Sequence, residues 1–324
     1  MNGYPWQKEL WQRVNQLYQT NHLPHALLLT GPEGVGKRVF AHAYAHFILC
    51  QDSEKTTDAC GCCRSCQLMA ATSHPDFHLI QPEQEGQAIK IDQIRQLMEF
   101  IQNTSHQGGY RVILIQPVEA MNIHAANALL KTLEEPTPYT LMMLISDQKS
   151  SLPATIISRC QRIHCAPPPR AEALAWLCAQ SDTPSAETAQ EDFWAPLLES
   201  TNGAPLLAKQ WHEQGVWPVY QNFMRDLSAL STQQADPLTL AVQWKEVNML
   251  WVFDLFFQWL LRCLWAQHHQ HIAHDIPEEV LSASLLEFID YLQQLRVETL
   301  GSYHLNQQLL LESLFIRWSY YVSR

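Results

Sequence analysis

Gly31-Pro32-Glu33-Gly34-Val35-Gly36-Lys37-Arg38 is the segment of this chain best suited to chemistry on phosphate. Glycines let backbone N–H groups approach phosphate oxygens at the start of a helix, and a lysine such as Lys37 adds a positive point charge. The motif is incomplete. A Mg²⁺-dependent loop needs a serine or threonine hydroxyl after the lysine, and Arg38 stands there. The strand that should end in metal-binding and water-activating carboxylates reads Val112-Ile113-Leu114-Ile115-Gln116-Pro117, with Gln116 and Pro117 in the acidic positions. Glu119 follows, past the strand end where a metal would sit. Without the hydroxyl, the carboxylates and the metal they hold, electrostatic stabilisation of phosphoryl transfer loses most of its parts. Gly31, Gly34, Gly36, Lys37 and Arg38 therefore read as a degenerate phosphate loop that binds ATP weakly or not at all and does not hydrolyse it.

A second chemistry lies in the cysteines. Cys50, Cys60, Cys62, Cys63 and Cys66 fall within seventeen residues, whereas Cys160, Cys165, Cys178 and Cys263 are scattered. In a reducing compartment disulfides are disfavoured, and such a cluster reads as a metal site. Cys60, Cys63 and Cys66 repeat as C-x2-C-x2-C, and Cys50 ends the preceding apolar segment FILC. Four thiolates from Cys50, Cys60, Cys63 and Cys66 suit tetrahedral, structural Zn²⁺, with Gly61 easing a tight turn. Cys62 is left over, although either of two adjacent cysteines could serve as a ligand. Inert buried thiols or a redox pair are the alternatives.

The elements that would position these groups follow from hydrophobic periodicity. Strand-like runs occur at His25–Thr30, Phe77–Gln81, Arg111–Gln116, Thr140–Ser146 and Gln161–Cys165. Helical patterns lie between them. The phosphate loop leads into a helix through Phe47. Asp92 is expected to cap a helix bearing Ile94, Leu97, Met98 and Ile101, and Asn122 one bearing Ala126, Leu129, Leu130 and Leu133. Strands alternating with helices call for a parallel sheet covered on both faces. Ala166-Pro167-Pro168-Pro169 closes this first domain, a short helical segment runs to about Gln210, and the remainder reads as an all-helical bundle. Its tryptophans come at helical spacing with few lysines or arginines, which favours core and interface contacts over base stacking.

With 324 residues, two or three domains are expected. Lys and Arg number 21 against 32 Asp and Glu, a net charge of −11 whose field repels a phosphate backbone. Contact with nucleic acid must then be local or supplied by partners. The amino terminus lacks a signal-peptide pattern, and the apolar run Asn248–Trp265 is interrupted by Asp254, Gln258 and Arg262, spaced by four into one wet stripe. The expectation is a cytoplasmic protein with a buried helix there and no membrane contact. His74 reads as a hydrogen-bonded structural residue near a strand start. Lys131, Glu134 and Glu135 read either as an interface patch or as a solvated helix face with a Lys131–Glu135 pair.

The order of HALLLTGPEGVGK, the cysteine knuckle, His74-Pro75-Asp76-Phe77, NALLKTLEEP at Asn127–Pro136 and Ile157-Ser158-Arg159-Cys160 resembles the delta-prime subunits of bacterial DNA polymerase III clamp loaders. The resemblance is ordered over residues 25–166, continues more weakly through Asn202-Gly203-Ala204-Pro205, and is compositional beyond. It implies an α/β AAA+ P-loop-type domain with a parallel five-stranded sheet over residues 1–166, a small helical lid domain over 167–210, and an all-α collar domain over 211–324. It also implies a non-catalytic role in a hetero-oligomer with the gamma and tau motor subunits and the delta subunit. That assembly places the sliding clamp on primed DNA during replication.

In such subunits a Ser-Arg-Cys triplet presents an arginine to ATP bound by the neighbouring motor. The resemblance carries that role to Arg159, flanked by Ser158 and Cys160. Arginine suits the task because it is always charged and its planar fork matches phosphate oxygens. A lone arginine at a helix end, favourable to the dipole, is the plainer reading. Active relatives carry a nucleotide-sensing arginine in the lid, where this chain has Ala204, Pro205 or Leu206. The alternatives in other classes are a self-sufficient P-loop ATPase and a zinc-dependent nucleic-acid-binding adaptor.

Overall fold

Five aliphatic runs pair into one parallel sheet in the computed structural model, which describes residues 3–52, 55, 57–84, 86–102, 104–107, 109–147, 152–180, 187–269, 282–300 and 306–322. The chain divides into two compact units, Met1–Ala173 with Ala204–Leu207, and Leu174–Gly203 with Ala208–Arg324. The sheet and its covering helices make up the first. In chain order these are α1 (Lys8–Gln19), β1 (Ala26–Thr30), α2 (Lys37–Leu49), α3 (Arg64–Ala70), β2 (Phe77–Ile80), α4 (Ile91–Gln102), β3 (Arg111–Ile115), α5 (Ile123–Glu134), β4 (Thr140–Ser146), α6 (Ala154–Ile157) and β5 (Gln161–His164). Each strand expected from the sequence is present, with bounds that differ by at most one residue.

The spatial order is β2-β3-β4-β1-β5. Leu28 stands opposite Leu144 on one side and Arg162 on the other, and Ile113 opposite His78 and Met142. Every residue of β1, β3 and β4 is buried, as strands covered on both faces must be. Alternate residues serve the two faces. Leu28, Ile113, Ile115, Met142 and Leu144 form one core with Ile94, Leu97 and Ile101 of α4 and Leu129 and Leu133 of α5. α2 packs against β3 and β4, and its Phe40, Tyr44 and Phe47 surround the edge of Trp11 from α1. Because β1 sits between β4 and β5, the segments leaving Thr30, Ser146 and His164 emerge together at one end of the sheet, where ligands of such folds bind.

Caps follow the sequence in one case and depart from it in another. Asn122 caps α5, its side-chain oxygen accepting from the Ala125 N–H at 2.8 Å. Asp92 does not cap α4: it lies inside the first turn, paired with Arg95 at 2.9 Å. The longer Gln93 side chain reaches back instead, and its Oε1 accepts from the Lys90 N–H at 2.9 Å.

Helices α7 (Arg170–Ala179), α8 (Glu187–Ser200), α9 (Pro205–Glu213), α10 (Val216–Ser231), α11 (Pro237–Trp244), α12 (Met249–His269), α13 (Ser282–Leu300) and α14 (Gln307–Val322) complete the chain. The core of the second unit is aromatic. Trp318 meets Phe256 at 5.4 Å, Trp259 at 4.9 Å and Phe288 at 5.2 Å, all edge to face, as ring quadrupoles prefer. α12 covers the interrupted apolar run: Val252, Phe253, Phe256, Trp259 and Leu260 are buried, while Asp254 pairs with Arg296 at 2.8 Å and Gln258 accepts from Asn202. The side chain of Arg262, third in that stripe, lies outside the described residues. Among the described residues no helix is long and apolar enough to cross a membrane.

Candidate functional site

Three groups expected from the sequence lie in the sheet-bearing unit, at separate places. The first is the phosphate loop between β1 and α2. Gly36 caps α2 with φ of 91°, and Gly34 has φ of 81°, both in the left-handed region that glycine alone enters freely. The loop is crowded. A Cβ on Gly34 would come within 2.5 Å of the Leu207 Cβ, and one on Gly36 within 2.5 Å of the Tyr4 ring. Leu206 N–H donates to the Gly34 carbonyl at 3.0 Å. From the amino-terminal segment, Trp6 Nε1 donates to the Val35 carbonyl at 3.0 Å and Gln7 Nε2 to the Gly36 carbonyl at 2.9 Å.

Lys37 is buried, and its ammonium is fully engaged by the chain itself. Nζ contacts the carbonyl of Gly31 at 2.7 Å, the carbonyl of Pro32 at 2.5 Å and Oδ1 of Asp147 at 2.6 Å. An ammonium has three N–H donors, so these acceptors match its full capacity. Asp147 stands just past β4 and is itself held, its N–H donating to Glu119 Oε1 at 2.8 Å. Arg38 is exposed on the first turn of α2, and Gln116 is buried at the end of β3. Neither supplies a carboxylate or hydroxyl to a cation at this loop.

The second group is the thiol cluster. The sulfurs of Cys50, Cys60, Cys63 and Cys66 all lie within 4.8 Å of one another. Cys50 to Cys60 is 3.6 Å, Cys60 to Cys66 3.8 Å and Cys50 to Cys63 4.0 Å. Four ligands at about 2.3 Å on a tetrahedron stand about 3.8 Å apart, so the residues fit a closed four-sulfur site. Backbone N–H groups already point at three of the sulfurs, from Cys60 to Cys50 at 3.4 Å, Cys63 to Cys60 at 3.3 Å and Cys66 to Cys63 at 3.4 Å. Such donors favour thiolate: the N–H groups of Cys63 and Cys62 push the Cys60 thiol down to about 6. Gly61 takes the left-handed conformation, with φ of 73°, that turns the knuckle back. Cys62 is exposed and stands outside the cluster.

Beside it, His74 is buried as a structural residue. Its Nε2 meets Ser65 Oγ at 2.7 Å, and its Nδ1 accepts from the Asp76 N–H at 3.0 Å. Burial holds this imidazole below its usual pKa. The cluster thus joins the end of α2 to the start of α3, and His74 ties α3 to the strand β2 that follows it.

The third group is the Ser158-Arg159-Cys160 triplet after the short helix α6. Cys160 is buried in the sheet core, where desolvation pushes its thiol up to about 11, while Ser158 is exposed. Arg159 lies between them, partly exposed. Its Nη2 contacts Oε1 of Glu134 at 2.6 Å, and Nη1 donates to the Thr155 carbonyl at 3.0 Å and to Ser158 Oγ at 3.3 Å. A guanidinium carries five N–H donors, and with three engaged the Nε–H and one Nη2–H meet no acceptor among the described residues. Of the two readings of Lys131, Glu134 and Glu135, the Lys131–Glu135 pair is not among the ion pairs of the described residues, and Glu134 pairs across to Arg159.

Sequence reasoning did not find Asp147 as the partner of Lys37, Glu134 as the partner of Arg159, or the packing of Tyr4, Trp6 and Gln7 on the phosphate loop. Each is a contact between distant segments. The one available signal was general: a lysine that becomes buried needs acceptors or an anion of the chain's own.

A family model described as DNA polymerase III, delta subunit, matches residues 6–169. A relative from Pseudomonas aeruginosa, DNA polymerase III subunit delta', is 38% identical over 98% of this chain and 97% of its own. The protein of the same name from Haemophilus influenzae is 32% identical over 95% of this chain and 94% of its own. That from Escherichia coli is 29% identical over 99% and 97%. Among solved structures, a DNA polymerase III gamma subunit-related protein from Thermotoga maritima is similar with a TM-score of 0.43 and 18% identity, covering 96% of this chain and 99% of that one. The RuvB Holliday junction branch migration motor from the same organism has a TM-score of 0.41 and 14% identity over 82% and 75%.

Proposed function

The chain belongs to the delta-prime family of DNA polymerase III subunits, and from that premise we propose that it is the silent member of the clamp loader, lending Arg159 to ATP bound by a neighbouring motor subunit. The contrast between its two cationic groups carries this reading. Lys37, which would face phosphate in a working site, has its donors engaged by Gly31, Pro32 and Asp147. Arg159, on the partly exposed turn after α6, keeps donors for an acceptor outside the chain. An arginine donated in trans offsets charge that develops on the transferred phosphoryl group, and can be worth orders of magnitude in rate.

Within this reading, residues 1–166 form the AAA+-like domain, 167–210 the lid and 211–324 the collar that joins the gamma, tau and delta subunits. The sliding clamp and primed DNA are met through the complex. Cys50, Cys60, Cys63 and Cys66 hold structural Zn²⁺, which crosslinks α2 to α3 and leaves no open position for catalysis.

The test is steady-state ATP hydrolysis by the purified chain, and by the complete loader with clamp and primed DNA, with wild type beside Arg159→Ala. No turnover is expected from the chain alone, and a loss of about tenfold or more from the loader with Arg159→Ala. An unchanged loader rate would remove Arg159 from the mechanism. Turnover by the lone chain that disappears with Lys37→Ala would instead establish a self-sufficient ATPase.

A further inference from the structure

Arg159 is not held by its own loop alone. Its closest polar partner is Oε1 of Glu134, at 2.6 Å, on the last residue of α5. A carboxylate is poorly placed there, because the carbonyl end of a helix carries partial negative charge and favours cations. Glu135 follows directly, and Lys131 is the only basic residue of that last turn. The guanidinium of Arg159 offsets this local excess of negative charge. The contact is charge-assisted, which makes it shorter and stronger than a neutral hydrogen bond.

The geometry does more than neutralise. Glu134 grips Nη2 while the Thr155 carbonyl and Ser158 Oγ grip Nη1, so two separate elements, α5 and α6, fix both ends of the planar group. Arginine otherwise loses much rotamer freedom when it is immobilised on a ligand. Pinning the fork beforehand removes part of that loss, and it leaves Nε–H and one Nη2–H for phosphate oxygens.

We infer that Glu134 is the positioning residue for Arg159, orienting its guanidinium from the end of α5 so that it meets the neighbour's ATP without a search. The inference rests on the reading that Arg159 acts in trans, and it adds a second residue that touches no nucleotide. Glu134 acts only through Arg159, so it should affect turnover rather than the binding of ATP, which the motor subunit holds.

The measurement is ATP hydrolysis by the complete loader, with clamp and primed DNA, for wild type, Glu134→Ala, Glu134→Asp, Arg159→Ala and the double variant. Glu134→Ala should lower kcat about five- to tenfold and leave KM for ATP within about twofold, as expected for lost orientation. Glu134→Asp keeps the carboxylate and should recover part of the rate. In the Arg159→Ala background, Glu134→Ala should cause no further loss. A kcat for Glu134→Ala equal to or above wild type, with Arg159→Ala still slow, overturns the inference and leaves the role of Arg159 standing. A loss that persists in the Arg159→Ala background, or that accompanies a lowered melting temperature and is not recovered by Asp, also overturns it. An unchanged rate for Arg159→Ala removes both.

Discussion

Lys37 is of a type suited to phosphate, and its ammonium is engaged by the chain's own acceptors. In a phosphate loop the lysine faces solvent and ligand, but here it is enclosed, with Asp147 supplying the negative charge at 2.6 Å. Replacing it by methionine would leave the Asp147 carboxylate, whose side chain is 21% exposed, without its counter-charge. Removing one partner of a fully buried pair costs about 3–5 kcal/mol, and the cost here falls below that range because Asp147 keeps some solvent. Lys37→Met should therefore lower the denaturant midpoint of the purified chain. The double variant with Asp147→Asn should recover most of the loss, because the orphaned charge is gone. Hydrolysis by the assembled loader should stay at the wild-type rate at temperatures where the variant is folded. An unchanged midpoint would show that the contact contributes nothing to folding, and a collapse of loader hydrolysis would return Lys37 to a nucleotide-binding role. The motif, which reports residue types at short spacing, did not identify Asp147 as the partner. Asp147 and Lys37 meet because β1 and β4 are sheet neighbours.

At the scale of elements the sequence was most informative where a single physical constraint dominates. The central strands could be read because both their faces are buried and their residues are uniformly aliphatic, so β1, β3 and β4 stand out as short apolar runs. Asn122 could be read as a cap because a short amide before an apolar helix has few other uses. Asp92 misled because cap preference says nothing about a longer side chain nearby, and Gln93 reaches the Lys90 N–H first. The cysteine cluster could be singled out because its members are closely spaced in sequence, and the sulfurs of Cys50, Cys60, Cys63 and Cys66 do lie within 4.8 Å of one another. This element also has a distinct prediction. Cys60→Ser, or removal of metal with a chelator, should lower the melting temperature by roughly 5 °C or more, since binding and folding of such knuckles are coupled. Cys62→Ser should leave metal content and melting unchanged, as Cys62 stands exposed outside the cluster. Equal effects from Cys60→Ser and Cys62→Ser, or no bound metal in the purified chain, would refute the four chosen ligands.

For the whole molecule the deciding quantity is charge. Net charge is −11, and several bases are already committed to acids, with Lys37 on Asp147, Lys90 on Glu83, Arg95 on Asp92, Arg159 on Glu134 and Arg296 on Asp254. Affinity for a nucleic-acid backbone grows with the number of phosphates neutralised and the counterions released, and a chain with 32 acids against 21 bases opposes that approach. Among the described tryptophans that might have stacked bases, Trp251 is exposed, while Trp194, Trp211, Trp244, Trp259 and Trp318 are buried in the core. Their helical spacing was the readable sign of this, whereas the choice of edge-to-face partners depends on how helices cross and could not be read from spacing. The expected outcome is that the chain alone shows no saturable binding to a fluorescent primed template at about 100 mM salt, where screening still leaves basic clusters effective. Anisotropy across a salt series checks this. Binding that weakens steeply with salt and is abolished by Cys63→Ala in a chain that stays folded would reveal recognition by the cysteine knuckle. Flat traces for the chain alone, with binding restored in the complete loader, would mean that contact with DNA is supplied by its partners.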